Sequence, residues 1–255
     1  MEIKQLKNKL VTGLRCYCKS NGFNDVILGL SGGLDSALVL AIACEALGGN
    51  HVHTLMMRTK YTSKQSIDLA QKAAQLNNAN HQIIDIQNAV DNLIKCAIFN
   101  LKNPITEQNI QARVRGNILM MYSNEFGYLP LACSNKSEIA MGYCTLYGDT
   151  CGGLAPIGDI YKTTAYQLAD FYNQEGKFFI PQEIINRKPT AELAPNQKDT
   201  DSLPSYEVLD DILKKYVFDN KIPNENQKIL VQSIQKKYHQ NAFKRQQLPP
   251  AILVY

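Results

Sequence analysis

The stretch from Val26 to Ser36, V-I-L-G-L-S-G-G-L-D-S, constrains this chain more than any other. Its opening apolar run, Val26-Ile27-Leu28 with Leu30 just beyond, fits a buried strand of a parallel sheet. Ser31-Gly32-Gly33 follows at once, and Ala37 to Ala43 then reads as a helix. Strand, glycine turn and helix together aim backbone N–H groups and a helix N-terminus at an anion. Two adjacent glycines let the backbone approach a phosphate with no Cβ in the way. Asp35 and Ser36 fall in the first turn of the helix. A carboxylate beside bound phosphates repels them unless a cation lies between, so Asp35 points to Mg²⁺ held jointly by protein and phosphate oxygens. The stretch lacks a Gly-Lys-Ser/Thr ending, and Gly29, Gly32 and Gly33 do not make G-x-G-x-x-G, so neither of the two commoner phosphate loops fits. An ordinary tight strand-to-helix turn is the competing reading.

S-G-G-L-D-S resembles the pyrophosphate-binding signature S-G-G-x-D-S of the PP-loop ATPases, which adenylate a carboxylate or carbonyl oxygen and release pyrophosphate. The resemblance implies that Gly29, Leu30, Ser31, Gly32, Gly33, Leu34, Asp35 and Ser36 cradle the phosphates of ATP. It does not say which acid is adenylated.

The 255 residues, 45% of them hydrophobic, suffice for one sizeable core, and we expect a single domain over 1–255. A net charge of +4 suits phosphate-bearing small molecules as well as nucleic acid. The charged N-terminus carries no long apolar run, so neither a signal peptide nor a membrane span is expected. Seven cysteines with no C-x-x-C pair read as reduced thiols of a cytosolic protein.

The rest of the first half alternates. Ile3 to Lys19 has helical spacing, and the helix after the glycine loop ends near Leu47-Gly48-Gly49. Val52 to Met57 reads as a second strand with Arg58 at its end, where Arg58 meets a phosphate or the adenine ring or is simply a solvated strand-end charge. Ser63 to Leu76 is an amphipathic helix with a Thr62 or Ser63 cap. His81 to Ile86 is a strand, Ala89 to Phe99 a helix, Glu107 to Phe126 a long helix with Ile110, Val114, Ile118 and Met121 on one face, and Tyr128 to Cys133 a fourth strand. This pattern predicts an α/β, Rossmann-like, three-layer α/β/α fold with a mostly parallel sheet and a helical C-terminal part. Gly142 to Ile160 is glycine-rich and reads as a loop, followed by a helix from Thr163 to Tyr172. Asn186 to Pro204 is polar and proline-bearing and long enough for a functional loop. Helices from Tyr206 to Val217 and from Asn224 to Tyr238 close the reading.

Five further motifs resemble NAD synthetases. Q-N-I-Q-A-R-V-R resembles their Q-N-I-x-A-R-x-R helix, which supports a dimer and whose first arginine, here Arg113, helps hold the dinucleotide. S-N-K-S-E resembles G-T-x-N-K-S-E, implying Glu138 as a Mg²⁺ ligand beside Asp35, with Cys133 in the position of a threonine that contacts ATP. Y-G-D-T-C-G-G-L-A-P-I-G-D-I-Y-K-T matches the family loop, and the match implies Asp149 as the substrate-side acid and Lys162 as the ATP-binding lysine. Leu146 and Gly153 stand where some ammonia-dependent members carry a lysine and an aspartate. K-P-T-A-E-L resembles the substrate lid, implying that Thr190 contacts ATP, and N-A-F-K-R resembles the H/Y-K-R tail, placing Phe243 and Lys244 near the dinucleotide.

The resemblance implies an ammonia-dependent ligase that amidates deamido-NAD to NAD through an adenylate, with ATP and Mg²⁺, as a cytoplasmic homodimer. Asp149 and Lys162 are its expected catalytic residues. It implies no membrane or nucleic-acid partner, and a separate glutaminase stays open. The rivals are another PP-loop adenylase, acting on a GMP precursor or tRNA, and a non-catalytic nucleotide binder.

Overall fold

The computed structural model describes residues 1–190, 192–195, 197 and 203–254. Four strands, β1 (Val26–Gly29), β2 (Val52–Arg58), β3 (Asn80–Asp85) and β4 (Leu129–Leu131), form one sheet in the order β3-β2-β1-β4. All pairings are parallel, with Val26 opposite both Val52 and Leu129. The chain builds outward from β1 to β2 and β3, then returns to the other side of β1 for β4. That reversal opens a crevice beyond the carboxyl end of β1, and the glycine loop leaves β1 at that point.

The sheet is covered on both faces. On one face, α1 (Ile3–Ser20), α2 (Leu34–Leu47), α3 (Lys64–Leu76) and α7 (Lys162–Glu175) share a core with β1 and β2. On the other, α4 (Gln87–Lys95) and α5 (Pro104–Phe126) pack Val90, Val114 and Leu119 against Ile27, Leu55 and Met57. A third cluster joins α6 (Lys136–Met141) to the C-terminal α9 (Tyr206–Ile212) and α10 (Glu225–Gln240). The α/β, three-layer expectation holds.

Capping follows the local sequence. Ser63 accepts the Ser66 N–H at 3.1 Å to start α3, and Asn103 with Pro104 at the first helical position starts α5. Gly48, at φ +91°, ends α2. The helix α2 has no polar stripe: Leu34, Ser36 to Cys44 and Ala46 are all buried, with α1 and α7 against it.

Several element boundaries differ from the sequence expectation. The helix α4 stops at Lys95 and leaves Ile98 and Phe99 at the surface, because no core lies within their reach. The strand β4 stops at Leu131, where the chain switches partner and pairs with Leu154. The helix α9 passes at Ile212 into a π-helical stretch, Leu213–Phe218. Two short helices, α8 (Gln182–Asn186) and α11 (Ala242–Arg245), have too few residues to show a period. On α5, Met121 is exposed and Leu119 takes its place in the core. The helix is also covered from a second side, where Tyr147 O would stand 2.6 Å from a Cβ on Gly116.

Candidate active site

The glycine loop is held by its own serines. The Ser31 N–H donates to Ser36 Oγ at 3.2 Å, the Gly33 N–H to Ser31 Oγ at 3.2 Å, and Ser36 Oγ to Gly33 O at 3.1 Å. Gly32 has φ +78°, and a Cβ there would lie 2.3 Å from Ser66 O, so only glycine fits. Gly33 occupies the N-cap of α2 and brings no side chain to cap it. The first-turn N–H groups of α2 are therefore left facing the crevice without a side-chain cap, which is the arrangement that suits a bound anion.

Lys162, the first residue of α7, is 3% exposed. Its ammonium donates to Asp35 Oδ2 and, at 3.2 Å, to Glu138 Oε1. Asn135 ties the two acids together: its amide donates to Asp35 Oδ1 at 3.2 Å, while its side-chain oxygen accepts the Glu138 N–H at 3.1 Å in a capping box. Tyr206 OH lies 3.4 Å from Glu138 Oε1, and its ring underlies the Lys162 ammonium at 5.2 Å. Behind them, Asp210 accepts from Ser137 Oγ and, at 2.9 Å, from the Thr163 N–H, which fixes the start of α7. Asp35, Glu138 and Lys162 are thus brought together. The Asp35 and Glu138 carboxylates meet at the Lys162 ammonium, and carboxylate oxygens are the hard donors that Mg²⁺ takes, so these two residues fit that ion.

Arg113, Asp149 and Lys244 all bond to the loop after α6, and Phe243 precedes Lys244 on α11. Asp149 Oδ1 accepts the Thr145 N–H at 2.6 Å. Its carboxyl keeps solvent contact, yet the surrounding protein pushes its pKa up to about 6 against the opposing effect of the Thr145 and Asp149 N–H groups and Lys244. The Lys244 ammonium donates to Gly142 O and Cys144 O, both at 2.8 Å, and so pins α11 to the loop after α6. Arg113 is exposed, with Nε on Leu146 O at 3.2 Å, and Phe243 is also exposed. Cys133 stands half-buried at the end of β4. Burial and the nearby Asp35, Glu138 and Asp149 raise its thiol well above the ordinary range, so it is no nucleophile at neutral pH.

A cavity of about 730 Å³ opens between the β2–α3 connection and the segment that follows Asn186, lined by Lys60, Tyr61, Ser63, Arg187, Thr190 and Gln197 among others. Thr190 Oγ1 donates to Gln197 O at 2.6 Å. Of the expected lid, residues 191, 196 and 198–202 lie outside the described residues. Arg58 does not line this cavity; it pairs with Asp85 at 2.9 Å on the half-exposed end of the sheet. Arg115 turns inward and donates from Nε to Met57 O at 3.1 Å; burial lowers its guanidinium to about 10, against the pull of Glu192, which leaves it charged. Lys60, Arg187, Asp210 and Tyr206 were also missed. Only Asn135-x-x-Glu138 carried a readable local signal, the capping box.

A parallel α/β sheet with an uncapped glycine loop at its switch point, facing two carboxylates and a buried lysine, defines a nucleotide-binding protein of the phosphate-loop kind. Comparison with known proteins narrows the class. The NAD synthase family model matches residues 6–248, and the chain belongs to that family. It is 47% identical over 226 residues to the glutamine-dependent NAD(+) synthetase of Thermotoga maritima, covering 87% of this chain and 39% of that protein. An NH3-dependent NAD synthetase from Campylobacter jejuni superposes with TM-score 0.74 at 28% identity, covering 98% of both chains. An NMN synthetase from Francisella tularensis superposes with TM-score 0.82 at 25% identity, covering 94% of this chain and 96% of that one. The chain spans less than half the length of the glutamine-dependent relatives it matches.

Proposed function

We propose that this chain amidates deamido-NAD to NAD at the expense of ATP, with ammonia as the attacking nitrogen and an acyl-adenylate as intermediate. The observation that carries the reading is the buried Lys162 ammonium facing Asp35 and Glu138 beside the glycine loop. The nicotinate carboxylate attacks the α-phosphorus of ATP, and the bond to the β-phosphate oxygen breaks. Gly29 to Ser36 receive the leaving pyrophosphate on their N–H groups, and Lys162 offsets charge gathering on the transferring phosphoryl group. Asp35 and Glu138 would hold Mg²⁺, which supplies charge neutralisation on the phosphate oxygens when bound. Arg113, Phe243 and Lys244 orient the dinucleotide, and Thr190 contacts ATP from the lid. Ammonia then attacks the activated carbonyl and AMP leaves. Asp149 orients ammonium and takes its proton, a role suited to a carboxyl whose pKa is raised toward neutrality. A homodimer fits the exposed apolar side chains along α5 and the preceding loop, among them Ile105, Met121, Phe126 and Phe99.

The length of the acid substrate is a second question. Gly153 stands where the resemblance puts an acid in some relatives, and the full-length likeness to the Francisella protein makes nicotinate mononucleotide the competitor to test. The assay supplies ATP, Mg²⁺ and either deamido-NAD or nicotinate mononucleotide, with ammonium or glutamine. NAD formed from deamido-NAD and ammonium is the expected result. Absence of AMP with every acid and nitrogen source overturns the reading.

The pH profile tests Asp149. Because the carboxylate is the active form and its pKa is raised, activity is expected to fall as pH drops through about 6. Asp149→Asn is expected to be slow and to lose that acid limb. An unchanged limb in the variant would remove Asp149 from the proton-transfer role.

A further inference from the structure

The first turn of α3 is gripped from two sides. From one side comes the glycine loop: Gly32 is so close to the Ser66 carbonyl that a Cβ would stand 2.3 Å from it. From the other comes the lid segment. Glu192 accepts from Ser63 Oγ at 2.9 Å and from the Ser63 N–H at 3.4 Å. Arg187 donates from Nη1 to Ser66 Oγ at 2.6 Å and from Nη2 to Glu192. Glu192 holds φ at +48°, a backbone conformation that a non-glycine residue keeps only when its surroundings fix it. One residue on, Gln111 of α5 donates to Leu193 O at 3.1 Å while accepting from Thr59 Oγ1 at 3.2 Å. The same short segment therefore touches the glycine loop through α3 and the sheet end through α5.

We propose that Glu192 and Arg187 are positioning residues that lock the lid segment to the glycine loop through Ser63 and Ser66, keeping water from the adenylate while pyrophosphate occupies the loop. The proposal rests on the adenylating reaction above. Its chemical consequence is definite. Water attacking the acyl-adenylate carbonyl breaks the bond to the phosphate oxygen, regenerates the carboxylate and releases AMP, so each leak consumes ATP without forming amide.

The test measures AMP and NAD together in the full chain, with ammonium, for wild type, Glu192→Gln, Arg187→Gln and Glu192→Asp. Wild type is expected to give AMP and NAD in equal amounts; failure to form either sinks the adenylating reaction rather than the lock. Glu192→Gln and Arg187→Gln are each expected to raise the KM for ATP about tenfold, the loss of one hydrogen bond to a charged group, and to release AMP in excess of NAD. Glu192→Asp is expected to restore part of the coupling. A readout independent of activity accompanies these: chymotrypsin is expected to cleave after Leu193 faster in both neutral variants than in wild type, at an unchanged melting temperature. Should Glu192→Gln fail to fold, Arg187→Gln carries the test. Folded variants with wild-type AMP-to-NAD ratio, ATP KM and cleavage rate overturn the proposal.

Discussion

Lys162→Met is expected to lower kcat/KM for pyrophosphate release about 10²–10³-fold. Methionine keeps the length and apolar stem of lysine and removes only the charge, so a loss of this size comes from the ammonium. In the native chain that ammonium is 3% exposed and lies against Asp35 and Glu138, where the surroundings screen it little. Without it, Asp35 and Glu138 face each other across the crevice and repel incoming phosphates. Raising Mg²⁺ is expected to recover part of the binding but not the rate, because the divalent ion cannot replace a cation fixed at the start of α7. Pyrophosphate release measured with saturating deamido-NAD checks the prediction. A variant within tenfold of wild type would move the charge-stabilising role away from Lys162.

Lys7→Met is expected to cost about 3 kcal/mol of stability, or roughly 6–12 °C in Tm for a chain of this size, while leaving ATP binding unaltered in the folded fraction. Lys7 is 5% exposed, and its ammonium pairs with Glu45 at 2.8 Å and with Glu175. Burial opposes its charge, but the hydrogen bonds it donates to Glu175 and Glu45 win and hold the amine above its usual range. Removing it leaves two carboxylates beside the ring of buried Tyr172, each retaining about a quarter of its solvent contact, which sets the cost at the low end for a broken buried pair. Thermal denaturation followed by far-UV circular dichroism checks this. A melting point within 2 °C of wild type, well under the roughly 6 °C expected, would show the cluster to be dispensable.

The sequence displayed the sheet order's raw material and the glycine loop, because both are local: apolar runs of strand length, glycines, and caps such as Ser63 and Asn135. Lys162 meeting Asp35 was legible only through family likeness, since they lie far apart in the chain and no spacing links them. The inward turn of Arg115 had no sequence signal, because it depends on the loop after α6 covering α5 and on Met57 O standing within reach. The pairing of Arg58 with Asp85 likewise depends on β3 lying beside β2. Asp210 and Tyr206 left no trace, because their roles depend on how the C-terminal helices fold back on α6 and α7. Lys7, an ordinary charged residue of an amphipathic helix, gave no sign that α2 and α7 would each bring it a carboxylate.

The burial of α2 on every side has a consequence for synthesis. A helix with no polar face is insoluble by itself, and α2 is covered partly by α1, made before it, and partly by α7, made long after. As the chain leaves the ribosome, the whole interval from Leu47 to Lys162 must emerge before that second cover exists. Throughout it the nascent chain displays an apolar surface of the kind that chaperones hold, and the glycine loop rooted in α2 has no firm base. Nucleotide binding by this protein is therefore expected to appear abruptly during elongation, once α7 has docked, and a chain stalled before Lys162 is expected to be a chaperone client that binds no nucleotide.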